Sequence, residues 1–201
     1  MQSKKSCQSP TAQEAEISAL KLRVLQLEKE VEFLRYHPTL AQGLKGERFI
    51  CQITEGIATS LNARFDVKSK GGLKLEVKFS KLHSPEKSAL DTKRWSWSKP
   101  MGWLDKGKDY DFLLLVGDKD YRFEDQYVDD SPYVVFLIPS ARVHQTIVSG
   151  KTIGANINLT TNFSSVRSVP SLRVIDHMVG FSLVAELLEK AVPRSVPDSS
   201  R

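Results

Sequence analysis

The sequence predicts an α/β fold of the α+β kind: a mixed central sheet flanked by helices and preceded by a separate coiled-coil helix. Three patterns predict it. Two unbroken apolar runs, FLLLVG at 112–117 and YVVFLIP at 133–139, suit strands buried on both faces. The stretch LKLEVKFS at 73–80 alternates strictly, with Leu73, Leu75, Val77 and Phe79 on one face and Lys74, Glu76, Lys78 and Ser80 on the other. Near the N-terminus the apolar residues Ile17, Leu20, Val24, Leu27, Val31 and Leu34 recur with spacings of 3, 4, 3, 4 and 3.

Residues 1–13 read as a disordered lead, and 14–37 as the helix carrying that repeat. Every a position is β-branched and every d position is Leu, a combination that favours parallel two-stranded coils. Arg23 and Glu30 fall at g, Glu28 and Arg35 at e, so a parallel partner meets opposite charges at both pairings. The expectation is a homodimer; the alternative is an amphipathic helix lying on its own domain, its stripe widened by Leu22, Leu25 and Phe33. His37-Pro38 ends the helix, because proline disfavours helical geometry in the residue before it.

A compact domain is expected over 40–191, followed by a Pro/Ser tail at 192–201. Residues 44–61 read as a helix with Phe49, Ile50, Ile53 and Ile57 turned inward. A strand at 63–67, a Gly71-Gly72 turn and the strand 73–80 follow; both glycines can take positive φ, the hairpin signal. Residues 85–94 read as a helix with Pro85 near its start, and the polar stretch 152–165 as strand or loop. Residues 180–191 read as a closing helix.

The bulk composition narrows the class. Of 201 residues, 40% are hydrophobic and 26% charged, which describes a globular chain rather than a disordered or membrane one. Cys7 and Cys51 have no metal-ligand spacing and no disulfide framework. The N-terminal stretch lacks the apolar core of a secretory signal, so the expected compartment is cytoplasmic. The net charge of +5 is unevenly spread: residues 66–108 hold eleven Lys or Arg against five acids, whereas 109–130 hold eight acids against two bases. A basic stretch beside a carboxylate site suits a polyanion such as nucleic acid; the plainer alternative is a solvated face of mixed sign.

Asp66 and Glu76 flank the tight hairpin connection, which brings their strand ends within side-chain reach. Two carboxylates aimed at one point form a hard, oxygen-lined site that suits Mg²⁺, one or two ions per site. Lys78 shares a face with Glu76, where an ammonium can orient or help deprotonate an attacking water and offset charge on a phosphate. The competing reading is an ordinary half-exposed hairpin.

Glu47 on a preceding helix, then Phe65-Asp66, then Leu75-Glu76-Val77-Lys78-Phe79 resembles the PD-(D/E)XK nuclease superfamily, the restriction-endonuclease-like fold. The likeness spans about residues 44–140, over a helix, a three-strand meander, a helix and a further strand. It implies that Asp66 and Glu76 are the two acids of the motif, Lys78 its lysine and Glu47 the acid on the first helix, with the Val77 carbonyl as a further metal ligand. Phe65 stands where the name-giving proline would be, and the nine residues between Asp66 and Glu76 are a short spacing for the family. The resemblance implies a Mg²⁺-dependent endodeoxyribonuclease, most like a type II restriction enzyme, cutting double-stranded DNA as a dimer and leaving a 5′-phosphate. The alternatives are a repair or structure-specific nuclease, a non-catalytic DNA-binding or assembly protein on the same scaffold, and a coiled-coil adaptor.

The segment KRWSWSKPMGW (93–103) interleaves Trp95, Trp97 and Trp103 with Lys93, Arg94 and Lys99, a composition able to stack on bases or grip phosphates. Lys70 and Lys81 on the same basic stretch are further candidates for backbone contact. Equally, the tryptophans can cap the core. Asp109 and Asp111 read as strand-entrance caps or partners of local lysines, His83, His144 and His177 as structural or surface residues, and Asn156, Asn158 and Asn162 as loop residues with some capacity to read adenine edges.

Overall fold

A computed structural model describes residues 10–36, 38–60, 63–84, 92–103, 106–147 and 156–191. The segments 1–9, 85–91 and 192–201, which hold most of the expected lead, the start of an expected helix and the tail, lie outside the described residues. The chain divides into two units, Met1–Ala41 and Gln42–Arg201.

The first unit contains α1 (Pro10–Tyr36), a single helix of 27 residues. Its repeat leaves Ile17, Leu20, Val24, Leu27 and Val31 exposed, from 42% at Leu27 to 58% at Leu20.

The remaining elements run α2 (Pro38–Ile53), β1 (Ile57–Ala58), β2 (Val67–Lys68), β3 (Lys74–Ser80), β4 (Arg94–Ser98), β5 (Gly102–Trp103), β6 (Lys106–Gly107), β7 (Phe112–Asp118), β8 (Tyr133–Pro139), β9 (Asn156–Thr160), α3 (Val169–Ile175), β10 (Met178–Val179) and α4 (Val184–Lys190). The main sheet has the order β1-β2-β3-β7-β8-β10. Among the described strands only β3 and β7 pair in parallel, so the sheet is mixed. Strands β4 and β9 form a separate antiparallel ribbon, as do β5 and β6.

Both apolar runs become central strands whose inner residues are buried on both faces. Their alternation sorts the core into two layers. On one face Leu75, Val77, Phe79, Leu114, Val116, Val135 and Leu137 pack with Ile50 of α2 and with Val184 and Leu188 of α4. On the other, Leu113, Leu115, Val134, Phe136 and Ile138 pack with the β4–β9 ribbon and Val174 of α3. The sheet is thus flanked by helices, with a small second sheet inserted on one side.

Three elements depart from the sequence reading. The helix stops at Ile53 rather than 61, and Ile57, expected inward, lies on β1 at 76% exposure. The strand expected at 63–67 shrinks to Val67–Lys68, leaving Asp66 just outside the ladder. Arg94, expected to close a helix, opens β4. In the Gly71-Gly72 turn only Gly72 has positive φ, +87°, while Gly72 N–H donates to the Ser69 carbonyl at 2.9 Å.

Trp95 and Trp97 are the largest correction. Their indoles are 0% and 1% exposed and sit in the core beneath the sheet, so neither ring is presented for stacking on a base. Each indole N–H finds a backbone partner: Trp95 donates to the Asp118 carbonyl and Trp97 to the Val116 carbonyl, both at 2.9 Å. Between those two carbonyls, Gly117 lets the sheet come close; a Cβ there would lie 2.4 Å from Trp95 Nε1.

Candidate active site

The edge of β3 builds the site. Strand β2 pairs with β3 only through Val67 opposite Leu75 and Lys68 opposite Lys74. One residue further out, the Asp66 N–H donates to the Leu75 carbonyl at 2.9 Å, and there the ladder ends. Along a strand, backbone groups two residues apart point the same way, so Val77 turns its N–H and carbonyl toward the same edge as Leu75. The Asp66 side chain takes the vacated place: its Oδ2 accepts from the Val77 N–H at 2.8 Å. Further along, Gln42 of α2 donates through Nε2 to the Phe79 carbonyl at 3.1 Å.

Glu76 and Lys78 project from one face of β3 as the alternation predicts, but that face is not wet. Ser80 Oγ accepts from the Ser96 N–H of β4 at 3.0 Å, and the Glu76 side chain is 0% exposed. The half-exposed hairpin is therefore replaced by a strand covered on both sides.

Four charged groups meet here. Lys78 Nζ lies 2.5 Å from Glu76 Oε1 and 4.0 Å from Asp66 Oδ2. Lys108 Nζ, from the segment before β7, lies 2.7 Å from Glu76 Oε2 and 3.5 Å from Asp66 Oδ1. Each ammonium thus touches both carboxylates. Asp66, Lys78 and Lys108 keep 17–23% exposure, so the cluster opens to solvent on their side and closes at Glu76.

The position of Lys108 follows from the backbone around it. The Asp109 N–H donates to the Arg64 carbonyl at 3.0 Å, and the Asp111 N–H to the Lys74 carbonyl at 2.8 Å. Asp111 Oδ2 accepts from the Lys74 N–H at 2.8 Å, and Asp109 Oδ2 pairs with Lys74 Nζ at 2.6 Å. The two aspartates cap the strand entrance and pair a local lysine. In doing so they stitch residues 108–111 to the chain on either side of Asp66.

Glu47 is brought to the same corner because α2 lies directly on β3. A Cβ at Gly46 would stand 3.0 Å from the Phe79 Cβ and 3.4 Å from Val77 Cγ1. Burial pushes the Glu47 carboxyl above its usual range; the charges of Asp66 and Glu76 add to this, and Lys78 and Lys108 oppose it. Burial likewise raises the Glu76 carboxyl against the pull of Lys78, with Asp66 adding and Lys108 opposing. Burial works to lower Lys108, but its contacts with Glu76 and Asp66 prevail and raise it.

The charge balance bears on what the site can hold. Among the described residues Glu76 Oε1 is buried, and its close neighbour is the Lys78 ammonium at 2.5 Å. Among the described residues no group of three or more His, Cys, Asp or Glu is arranged around a metal position. The available donors are the Asp66 and Glu76 carboxylates and the edge-facing Val77 carbonyl, an all-oxygen set that suits a small hard cation completed by water.

The remaining candidates lie elsewhere. Lys81 and Lys99 are exposed, and Lys93 and Arg94 are half-buried. Arg94 Nε donates to His83 Nε2 at 3.1 Å, and exposed Lys70 pairs with Glu55 at 2.6 Å. Asn156 and Asn158 point outward from β9, while Asn162 Oδ1 accepts from the Ser164 N–H. Trp103 and the side chain of Lys106 lie outside what is described of side chains. Sequence reasoning missed Lys108, one of many lysines in a basic stretch; only the parallel register of β7 beside β3 singles it out. No protein-family model matches the chain, and no curated protein matches it by sequence.

Proposed function

We propose that the protein is a Mg²⁺-dependent endodeoxyribonuclease built on a restriction-endonuclease-like fold. The observation that carries this reading is the convergence of Asp66, Glu76 and Lys78 at the end of the β2–β3 ladder, with Glu47 in electrostatic reach of all three. The order of elements supports it. Helix α2 is followed by the meander β1-β2-β3, and β7 lies parallel beside β3, although between β3 and β7 the described residues form β4, β5 and β6 rather than the helix of that order.

In this reading Asp66, Glu76 and the Val77 carbonyl would hold the cation. Mg²⁺ at that place supplies Lewis acidity, easing deprotonation of a water and offsetting charge on the attacked phosphate. Asp66 is oriented for the task by the Val77 N–H, and Glu76 by its full burial and its contacts with Lys78 and Lys108. Lys78 keeps its ammonium beside both acids, where it orients the attacking water and steadies the developing negative charge. Glu47, whose carboxyl burial raises, would be the group that exchanges a proton with the attacking water. Lys81, Lys93, Arg94 and Lys99 are left as contacts to the phosphate backbone.

The exposed stripe of α1 fits a second copy of the chain in parallel register, with Arg23 meeting Glu28. Such a dimer brings two sites to one duplex under two-fold symmetry, as a type II restriction enzyme requires. The test is digestion of plasmid and of a large linear DNA with Mg²⁺, and with EDTA as control. Discrete bands support sequence-specific cutting, a smear supports a repair or degradative nuclease, and intact DNA removes the assignment.

One observation favours a second reading. Lys78 and Lys108 together neutralise Asp66 and Glu76, the charge balance expected of a structural ion-pair cluster in a DNA-binding or assembly protein without catalysis. That protein would retain DNA on a filter equally well with and without Mg²⁺ and would leave it uncut.

A further inference from the structure

We infer that Lys108 is a built-in counter-ion that holds the cation position between Asp66 and Glu76 and sets the divalent-ion concentration at which the site fills. The inference rests on the metal site proposed above and concerns its regulation.

The geometry carries it. Lys108 Nζ stands 2.7 Å from Glu76 Oε2 and 3.5 Å from Asp66 Oδ1, within reach of one oxygen of each acid. Asp66 and Glu76 are the two acids that would hold a divalent ion. A doubly charged ion and an ammonium cannot share one small space between two carboxylates, because their repulsion is strong where water is scarce. Lys108 would therefore give way to an ion held there rather than share the place with it.

Lys108 is suited to this exchange in a way Lys78 is not. Lys78 contacts Glu76 through Oε1 and approaches Asp66 only to 4.0 Å, through the oxygen already bonded to the Val77 N–H. Lys108 comes from a different segment and reaches an oxygen of each acid within 3.5 Å; like Lys78 it keeps partial exposure, and its flexible stem lets it swing toward solvent when a stronger cation arrives. With the ion absent, the ammonium keeps two carboxylates compatible with a largely buried site. A single positive charge is enough for that and weak enough to yield to two.

The consequence is a threshold: the cluster stays closed by its own lysine at low divalent concentration and converts to the loaded site above it. Isothermal titration of Mn²⁺ into the DNA-free protein tests this, comparing wild type with Lys108→Met, Lys108→Arg and Asp66→Asn. Removing the competing charge in Lys108→Met tightens Mn²⁺ binding about tenfold or more, equivalent to about 1.4 kcal/mol. Lys108→Arg stays close to wild type. Asp66→Asn loses binding. Lys108→Gln keeps a donor for Glu76 without the charge and shows the same tightening, which covers the case in which Lys108→Met does not fold. A second readout is the melting temperature without divalent ions, which falls in Lys108→Met and recovers on adding Mn²⁺.

Unchanged or weaker binding in both Lys108→Met and Lys108→Gln, with Asp66→Asn still abolishing it, overturns the counter-ion role and leaves the metal site standing. No Mn²⁺ binding in any form of the protein removes both.

Discussion

The Val77 N–H donates to Asp66 Oδ2 at 2.8 Å, so a side chain completes a β-ladder that the backbone leaves unfinished. This one bond joins fold to chemistry: it closes the edge of β3 and aims Asp66 across at Glu76. The two roles separate by substitution. Asp66→Asn can still accept from the Val77 N–H, so it should melt near wild type while Mg²⁺-dependent cleavage falls at least about a hundredfold, as loss of a central electrostatic group typically does. Asp66→Ala leaves a buried N–H without a partner and should lose about 1–3 kcal/mol of stability as well. Urea unfolding beside plasmid nicking distinguishes them.

Glu76 is fully buried against two ammoniums, and its neighbours report on that. Lys78→Met should depress cleavage strongly while leaving Lys108 to satisfy Glu76 Oε2, so the protein still folds. A Lys78→Met protein that cuts at the wild-type rate would show that Lys78 is a structural partner only.

The tryptophans give a prediction of the opposite kind. Trp97 is buried and hydrogen-bonded to the Val116 carbonyl, so Trp97→Ala should cost about 3–5 kcal/mol in stability, seen in urea unfolding. Gly117→Ala should also destabilise markedly, since its Cβ would collide with the Trp95 ring. The folded fraction of either variant should keep its affinity for single-stranded DNA, measured by fluorescence anisotropy. A selective loss of that affinity would restore the tryptophans as base-stacking residues.

Acid stability has a separate anchor. Asp120 accepts from Arg122 through both oxygens, at 2.9 Å to Nε and 2.8 Å to Nη2, and from Thr161 Oγ1 at 2.7 Å. The Arg122 bond, with Thr161 and against the cost of burial, holds the carboxyl down at about 2, below its ordinary 3.8. A depressed carboxyl stabilises the fold fully above its unfolded value, and the contribution fades as pH falls from about 4 through about 2. Its size is about 2 kcal/mol. Asp120→Asn should therefore lower the melting temperature at pH 6 and narrow its gap to wild type at pH 2.

The helix α1 carries its own test. Leu27→Asp places a charge in the middle of the apolar stripe and should convert a dimer to a monomer in analytical ultracentrifugation. An unchanged sedimentation coefficient would assign dimerisation, if any, to the other unit.

How much of this was legible in the chain differs by element. Strands β7 and β8 were readable because an unbroken apolar run has no solvent face to offer. The pairing of Asp66, Glu76 and Lys78 was readable because a short hairpin limits where strand ends can go. Lys108 was not, since its place depends on a parallel register formed across a long connection, and nothing local encodes that. Trp95 and Trp97 misled for a physical reason: an aromatic between lysines looks the same whether its ring faces a base or a core, and burial alternates along β4. Ile57 misled because an apolar residue continues a helical pattern even after the chain has turned into an edge strand.

The central claim is that Asp66, Glu76 and Lys78 form a hydrolytic site for DNA. Its most direct test is cleavage of supercoiled plasmid by the purified protein at saturating Mg²⁺, with Asp66→Asn and Lys78→Met run beside it. The account predicts nicked and linear products from the wild type, none with EDTA, and none from either folded variant. Cleavage by both variants at the wild-type rate, or supercoiled plasmid left intact by the wild type, would contradict it.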